Sequence, residues 1–162
     1  VHGYHCLNNN TLRCVQADDG VNEIIEKCIA ADAIVLASPV YHGGIAGSMK
    51  CVMDRIMLAA CCGENQFHHK VGAALCTLRR SGGMETYQQL LGLMDAMEMV
   101  LVTSDYWNAV HGAEIGECKQ DIEGVEVIEK LGRNIAWMLK VIDKAGIAPP
   151  ETHHRTMFNY IR

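Results

Sequence analysis

Short apolar runs alternate with helical periodicities along this chain. Ala33–Ala37 carries no charge and no polar alternation, the pattern of a strand buried on both faces of a parallel sheet. It is expected to stop at Ser38-Pro39, because proline cannot donate to a sheet ladder. Val71–Leu78 and Met99–Ser104 read as two further strands. A helix from about Ala46 to Ala60 places Met49, Val52, Met53 and Ile56 on one face, and another from about Met84 carries Leu90, Leu91, Leu93 and Met94. Asp18 or Asp19 can cap an earlier helix through Val21–Ile29. A long loop, Asp105–Gly124, precedes the last helix, Val125–Lys144, in which the spacing of Trp137 predicts core packing. A tail follows Pro149-Pro150. This alternation predicts an α/β fold with a parallel sheet.

The chain has 162 residues, which suits one domain over 1–162. It is 49% hydrophobic and 20% charged, so it can build a core without being a membrane or disordered protein. No apolar stretch approaches the ~20 residues of a membrane span. No charged-then-apolar leader opens the chain, and a cytoplasmic location is expected. A net charge of -5 argues against nucleic acid, whose phosphates need a basic surface. In that setting the eight cysteines read as free thiols, metal ligands or remnants of a cluster site rather than disulfides. Cys28, Cys51 and Cys76 lie in apolar patterns and are expected in the core. Cys61-Cys62 at a helix end, Cys118 in a polar loop, and the pairs His68-His69 and His153-His154 receive no role.

Chemistry concentrates at the strand ends, where open α/β sheets bind ligands. Pro39-Val40-Tyr41-His42-Gly43-Gly44 follows the first strand. Its glycines allow close backbone approach to a flat ligand, and its tyrosine can stack on one; the alternative is an ordinary strand-to-helix turn. Arg79-Arg80-Ser81-Gly82-Gly83 follows the second strand, either as a second wall or as a solvated basic turn. Tyr106-Trp107-Asn108, with His111-Gly112, follows the third and suits either a ligand cover or a subunit interface. Lys50 and Asp54 are spaced for an ion pair on one helix face.

These segments resemble the flavodoxin-like NAD(P)H-dependent FMN reductases and iron–sulfur flavoproteins. The likeness rests on Ser38-Pro39-Val40-Tyr41 with Lys50 and Asp54-Arg55, on Arg79–Gly83, on Ser104–Gly112, and on Leu131-Gly132-Arg133-Asn134-Ile135-Ala136-Trp137. The resemblance implies a three-layer open parallel sheet with helices on both faces. It also implies FMN held at Pro39–Gly44, Arg79–Gly83 and Tyr106–Asn108, with Lys50, Asp54 and Arg55 supporting the first loop. NAD(P)H would be the co-substrate and a quinone, free flavin or other small molecule the acceptor. No catalytic side chain is expected, because the flavin carries the chemistry. The alternatives are an electron carrier without its own substrate and a non-catalytic remnant of the fold. A homodimer or homotetramer is implied.

The departure is at the front. The family opens with a strand and a phosphate loop; Val1–Gln16 instead resembles the region after its second strand. The domain is therefore expected to be partial at its N-terminus, leaving the Ala33–Ala37 edge uncovered. The cysteine run of the iron–sulfur branch is reduced to Cys6 and Cys14. With His2 and His5 these are metal ligands by type, but their spacing matches no cluster or zinc signature, and no metal is expected.

Overall fold

The computed structural model describes residues 11–16, 19–61 and 64–151. Among the described residues four α-helices, α1 (Val21–Ala30), α2 (Gly47–Cys61), α3 (Gly83–Asp95) and α4 (Ile122–Ala145), alternate with five strands. The strands are β1 (Ala33–Tyr41), β2 (Gly44–Ile45), β3 (Val71–Leu78), β4 (Val100–Leu101) and β5 (Ala109–His111). The sheet runs β2-β1-β3-β4, with β5 also on β3. β1, β4 and β5 all lie parallel to β3, and only the short β1–β2 hairpin is antiparallel. The expected parallel arrangement of the three apolar runs is observed.

Strand alternation divides the core in two. Leu36, Ala74, Cys76 and Leu78 face a cluster that includes Ile25 of α1, Met53 and Ile56 of α2, and Leu90 and Met94 of α3. Val71 and Ala73 face Leu131 and the partly buried Ile135, Met138 and Leu139 of α4. Three helices thus cover one face and one helix the other. The single helix lies over β3, so Val35 of β1 remains 47% exposed. The β1 run is therefore not buried on both faces as its composition suggests.

Several other expectations are corrected. β1 continues through Pro39, which sits opposite Thr77, to Tyr41. Among the described residues β1 pairs on its other side only with β2, and an edge position is where a strand tolerates proline. The third strand is short, and the loop after it contains a strand of its own. β4 and β5 both pair with β3, and the break between them is filled by Asn108. Its backbone carbonyl accepts from Cys76 N at 2.9 Å, and its Nδ2 donates to Ala74 O at 2.9 Å. One residue thereby replaces the missing ladder, which explains why a polar side chain is fully buried there.

Trp137 is 61% exposed rather than packed in the core. It lies on α4 near Asn134, which donates to Thr103 O, while Leu131 faces the sheet. Cys51 is exposed, whereas Cys76 is buried and Cys28 is partly buried. Gly20 holds the N-cap position of α1, and Asp19 Oδ1 accepts from the N–H of Val21, the first helical residue, at 3.4 Å, while its carboxylate also accepts from Arg55 Nη1 at 2.6 Å and Nη2 at 3.0 Å. Asp18 lies outside the described residues.

Candidate functional site at the carboxyl edge of the sheet

Parallel strands send their following loops to one end of the sheet, and that end gathers the candidate residues. β1 and β2 close through a two-residue turn, with Tyr41 opposite Gly44. His42 and Gly43 both have positive φ, 50° and 76°, the requirement of a type I′ turn. Ser38 sets the start of this loop: its hydroxyl donates to Pro39 O at 2.8 Å and accepts from Ala46 N at 3.0 Å. Gln89 of α3 sets its end, accepting from Ile45 N at 3.1 Å. Gly44 lies against the same amide, where a Cβ would fall 3.2 Å from Oε1. Tyr41 is 62% exposed, and nothing stands within 4 Å of the place where a Gly43 Cβ would be. The hairpin thus presents an aromatic ring and bare backbone to open space.

Arg79–Gly83 forms the adjoining loop. Gly82 caps α3 with φ 85°, and a Cβ there would lie 2.9 Å from both Gly43 Cα and Val40 Cγ1. The two loops therefore touch through glycine backbone, a contact that no larger residue permits. Arg79, Arg80 and Ser81 are exposed, and no side chain caps the first turn of α3. Its free N–H groups carry the partial positive charge of a helix start.

The third candidate segment stands on the far side of this loop. Tyr106 and Trp107 are more than half exposed, with ring centroids 4.8 Å apart at 49°. They overhang a cavity of about 420 Å³ that Arg80, Ser81, Gly82 and Gly83 also line. Tyr41, His42 and Gly43 do not line it. The structure thus brings Val40, Gly43 and Gly82 into contact, and separately brings Arg80–Gly83 together with Tyr106 and Trp107. Pro39 is held in the ladder. Asn108 is buried beneath the aromatic pair, and its Oδ1 accepts from Ser104 Oγ at 2.6 Å. Its place is to hold the Tyr106–Trp107 segment on β3.

Sequence reasoning passed over the rest of the cavity wall, including Met84, Glu85, Tyr87, Asp121 and Glu123. The signal available was position: Met84 and Tyr87 follow Gly83 within the first turns of α3. Asp121 caps α4 by accepting from Gly124 N at 3.1 Å, and it also accepts from His111 N at 2.7 Å. The His111 and Gly124 N–H groups hold its carboxyl below the usual carboxylate value. Burial raises the Tyr87 hydroxyl and the Cys76 thiol, so both remain protonated at neutral pH.

Lys50 pairs with Asp54 on the exposed face of α2. Arg55 holds the segment before α1, through Asp19 and through Nε to Cys14 Sγ at 3.1 Å. His2, His5 and Cys6 lie outside the described residues. Among the described residues no three His, Cys, Asp or Glu side chains gather as a ligand set. No described helix is long and apolar enough to cross a membrane.

Residues 2–114 match the family model of the NADPH-dependent FMN reductases. An iron-sulfur flavoprotein of Methanocaldococcus jannaschii is 36% identical over 139 residues, which cover 82% of this chain and 70% of that relative. Among solved structures, RosB with bound 8-demethyl-8-formylriboflavin-5'-phosphate superposes with a TM-score of 0.66 at 12% identity, over 95% of this chain and 73% of that one. The flavodoxin, WrbA-like protein of Agrobacterium tumefaciens gives a TM-score of 0.54 at 19% identity, over 72% and 78% of the two chains. The fold is flavodoxin-like.

Proposed function

Since the chain belongs to the NADPH-dependent FMN reductase family, we propose that it is a cytoplasmic oxidoreductase that binds FMN at the paired loops Pro39–Gly44 and Arg79–Gly83. The observation that carries this reading is the Gly82–Gly43 contact, which places two bare backbone segments side by side at the strand ends. The cradle suits a flat ring. The His42-Gly43 turn leaves open space where a side chain would stand, and Tyr41 is exposed beside it. Bound FMN would supply the redox chemistry, accepting two electrons from a reduced nicotinamide and passing them to an acceptor.

The chain's own part is positioning and electrostatics. The type I′ turn fixes the hairpin backbone, and Ser38 and Gln89 pin its two ends. The uncapped N–H groups of α3 and the Arg80 guanidinium favour a partner that becomes negative on reduction. No side chain here need transfer a proton.

Titration with FMN, followed by its visible absorbance, tests the reading. Saturable uptake is expected, weakened in a Gly43→Val protein whose circular dichroism is unchanged. A folded protein that takes up no FMN refutes it. The similarity to an iron-sulfur flavoprotein favours a second reading, an electron carrier without its own substrate. Rapid mixing of the FMN-loaded protein with NADPH separates the two. Prompt bleaching of the flavin supports the reductase, and reduction only by a ferredoxin-type donor supports the carrier.

A further inference from the structure

His111 and Asp121 form a pair that the flavin reading leaves unused. β5 ends at His111, and Asp121 caps α4. Two backbone donors fix the Asp121 carboxylate, His111 N at 2.7 Å and Gly124 N at 3.1 Å. They also hold its pKa down, so it is ionised at neutral pH. Its Oδ2 lies 3.2 Å from His111 Nδ1. An ionised carboxylate only accepts, so Nδ1 carries the proton in that bond. No described hydrogen bond engages the other ring nitrogen, Nε2.

Both residues line the cavity of about 420 Å³ under Tyr106 and Trp107. Arg80–Gly83 line it too, so it adjoins the loop assigned to FMN, where an electron acceptor would meet the flavin. Arg80, Glu85, Tyr87, Tyr106 and Glu123 are the other titratable side chains of its wall. Of these types and His111, an imidazole is the one that both releases and regains a proton readily near neutral pH. A carboxylate on one ring nitrogen, with the other left to substrate, is how a general acid–base histidine is oriented.

We infer that His111 is a general acid for the acceptor half of the proposed reaction, with Asp121 as its positioning residue. The inference rests on the flavin reading above. In this step a hydride originating in the reduced nicotinamide enters one atom of the acceptor. The neighbouring atom takes the proton from His111 Nε2: that N–H bond breaks as the new bond to hydrogen forms, and solvent restores the proton. The acceptor thus gains two electrons and two hydrogens with no change of charge. The class this serves has a polarised double bond ending in nitrogen or oxygen, in contrast to a one-electron metal complex.

Two measurements test it. The first needs no cofactor. Nitrogen-15 NMR of the flavin-free protein, with His111→Gln to identify the signal, should show neutral His111 as the Nδ1–H tautomer, and Asp121→Asn should lower the population of that form. A neutral His111 that carries its proton on Nε2 overturns the inference. In the second, FMN-loaded protein is reduced beforehand and mixed rapidly with each of two acceptors. Ferricyanide takes one electron and no proton, whereas dichlorophenolindophenol takes a hydride and a proton. The His111 side chain is 55% exposed, so His111→Gln should fold, as circular dichroism checks. It should lower the ratio of the indophenol rate to the ferricyanide rate about a hundredfold, the lower part of the range for general acid catalysis. An unchanged ratio in the folded variant overturns the inference, as does a wild-type protein that reduces ferricyanide alone. A wild-type protein that takes up no FMN refutes the flavin reading and the inference with it.

Discussion

Gly82→Ala is the most direct test of how the two loops meet. Gly82 has φ 85°, and its Cβ would lie 2.9 Å from Gly43 Cα and Val40 Cγ1. Two costs follow. An L-residue in the left-handed region loses about 1–2 kcal/mol. The new methyl also sits roughly 1 Å inside ordinary carbon–carbon contact, and forcing a carbon into packed space costs about 1–3 kcal/mol. Gly20 separates these costs, because it has φ 84° and nothing within 4 Å of its Cβ position. Gly20→Ala therefore bears the conformational cost alone. Urea unfolding of both variants, at unchanged m-value, should show Gly82→Ala less stable than Gly20→Ala by about 1–3 kcal/mol. FMN affinity should fall about tenfold or more in Gly82→Ala, because the hairpin must move to admit the methyl. It should be unaffected in Gly20→Ala. Equal destabilisation by the two substitutions would refute the described contact between Gly82 and the hairpin.

Asn108→Ala strips Ala74 O of its side-chain partner, while the Ser104 hydroxyl keeps Tyr106 O; at about 1–3 kcal/mol for a buried group left unsatisfied, the melting temperature should fall measurably, and Trp107 emission should shift as its segment loosens. Gly43→Val should weaken FMN about tenfold to a hundredfold, the scale of a single-site defect, while the far-ultraviolet dichroism is unchanged. Asp121→Asn should cost about 0.3–1 kcal/mol at neutral pH, because it removes the negative charge at the start of α4 while the amide can still cap the helix. Because the folded carboxyl titrates below its unfolded value of about 3.9, the native protein's advantage over Asp121→Asn should persist above about pH 4 and close as pH falls through the folded value; a gap that widens in acid would contradict the described bonds to His111 and Gly124.

The fold was largely legible because burial in a parallel sheet writes itself into composition. Val71–Leu78 is apolar almost without interruption, and it is the strand with a parallel neighbour on each side and helices on both faces. Met53, Ile56, Leu90 and Met94 fall on buried faces as their spacing requires. The misreadings share a cause. Periodicity reports that a residue is apolar at a helical interval, but it does not report which neighbour arrives to cover it. Trp137 fits the α4 pattern, yet it lies off the stripe that meets Val71 and Ala73. Val35 fits a doubly buried strand, yet α4 sits over β3 and leaves it half open. Pro39 marks a strand end only where its missing N–H would break a ladder, and β1 has little ladder on its outer side.

At the site, the loops were legible and their division was not. Glycines at Gly43 and Gly82 announce backbone that must adopt positive φ or approach closely, and both demands are met at one contact. Nothing in the spacing distinguishes a residue on one side of the Arg79–Gly83 loop from a residue on the other. That distinction comes from Asn108, which bridges the gap between β4 and β5 and so carries Tyr106 and Trp107 over α3, away from Tyr41. An asparagine that substitutes for a stretch of sheet ladder looks, in a sequence, like any polar loop residue. Its role follows only from the two strand groups it satisfies, Ala74 O and Cys76 N, which lie more than thirty positions away along the chain. The same bond network directs its remaining Nδ2 hydrogen at Tyr87. The side chain that closes the sheet therefore also donates to a tyrosine of the cavity wall, and a change at Asn108 should lower the stability of the sheet more than Tyr87→Phe, which leaves the bond to Ala74 O in place.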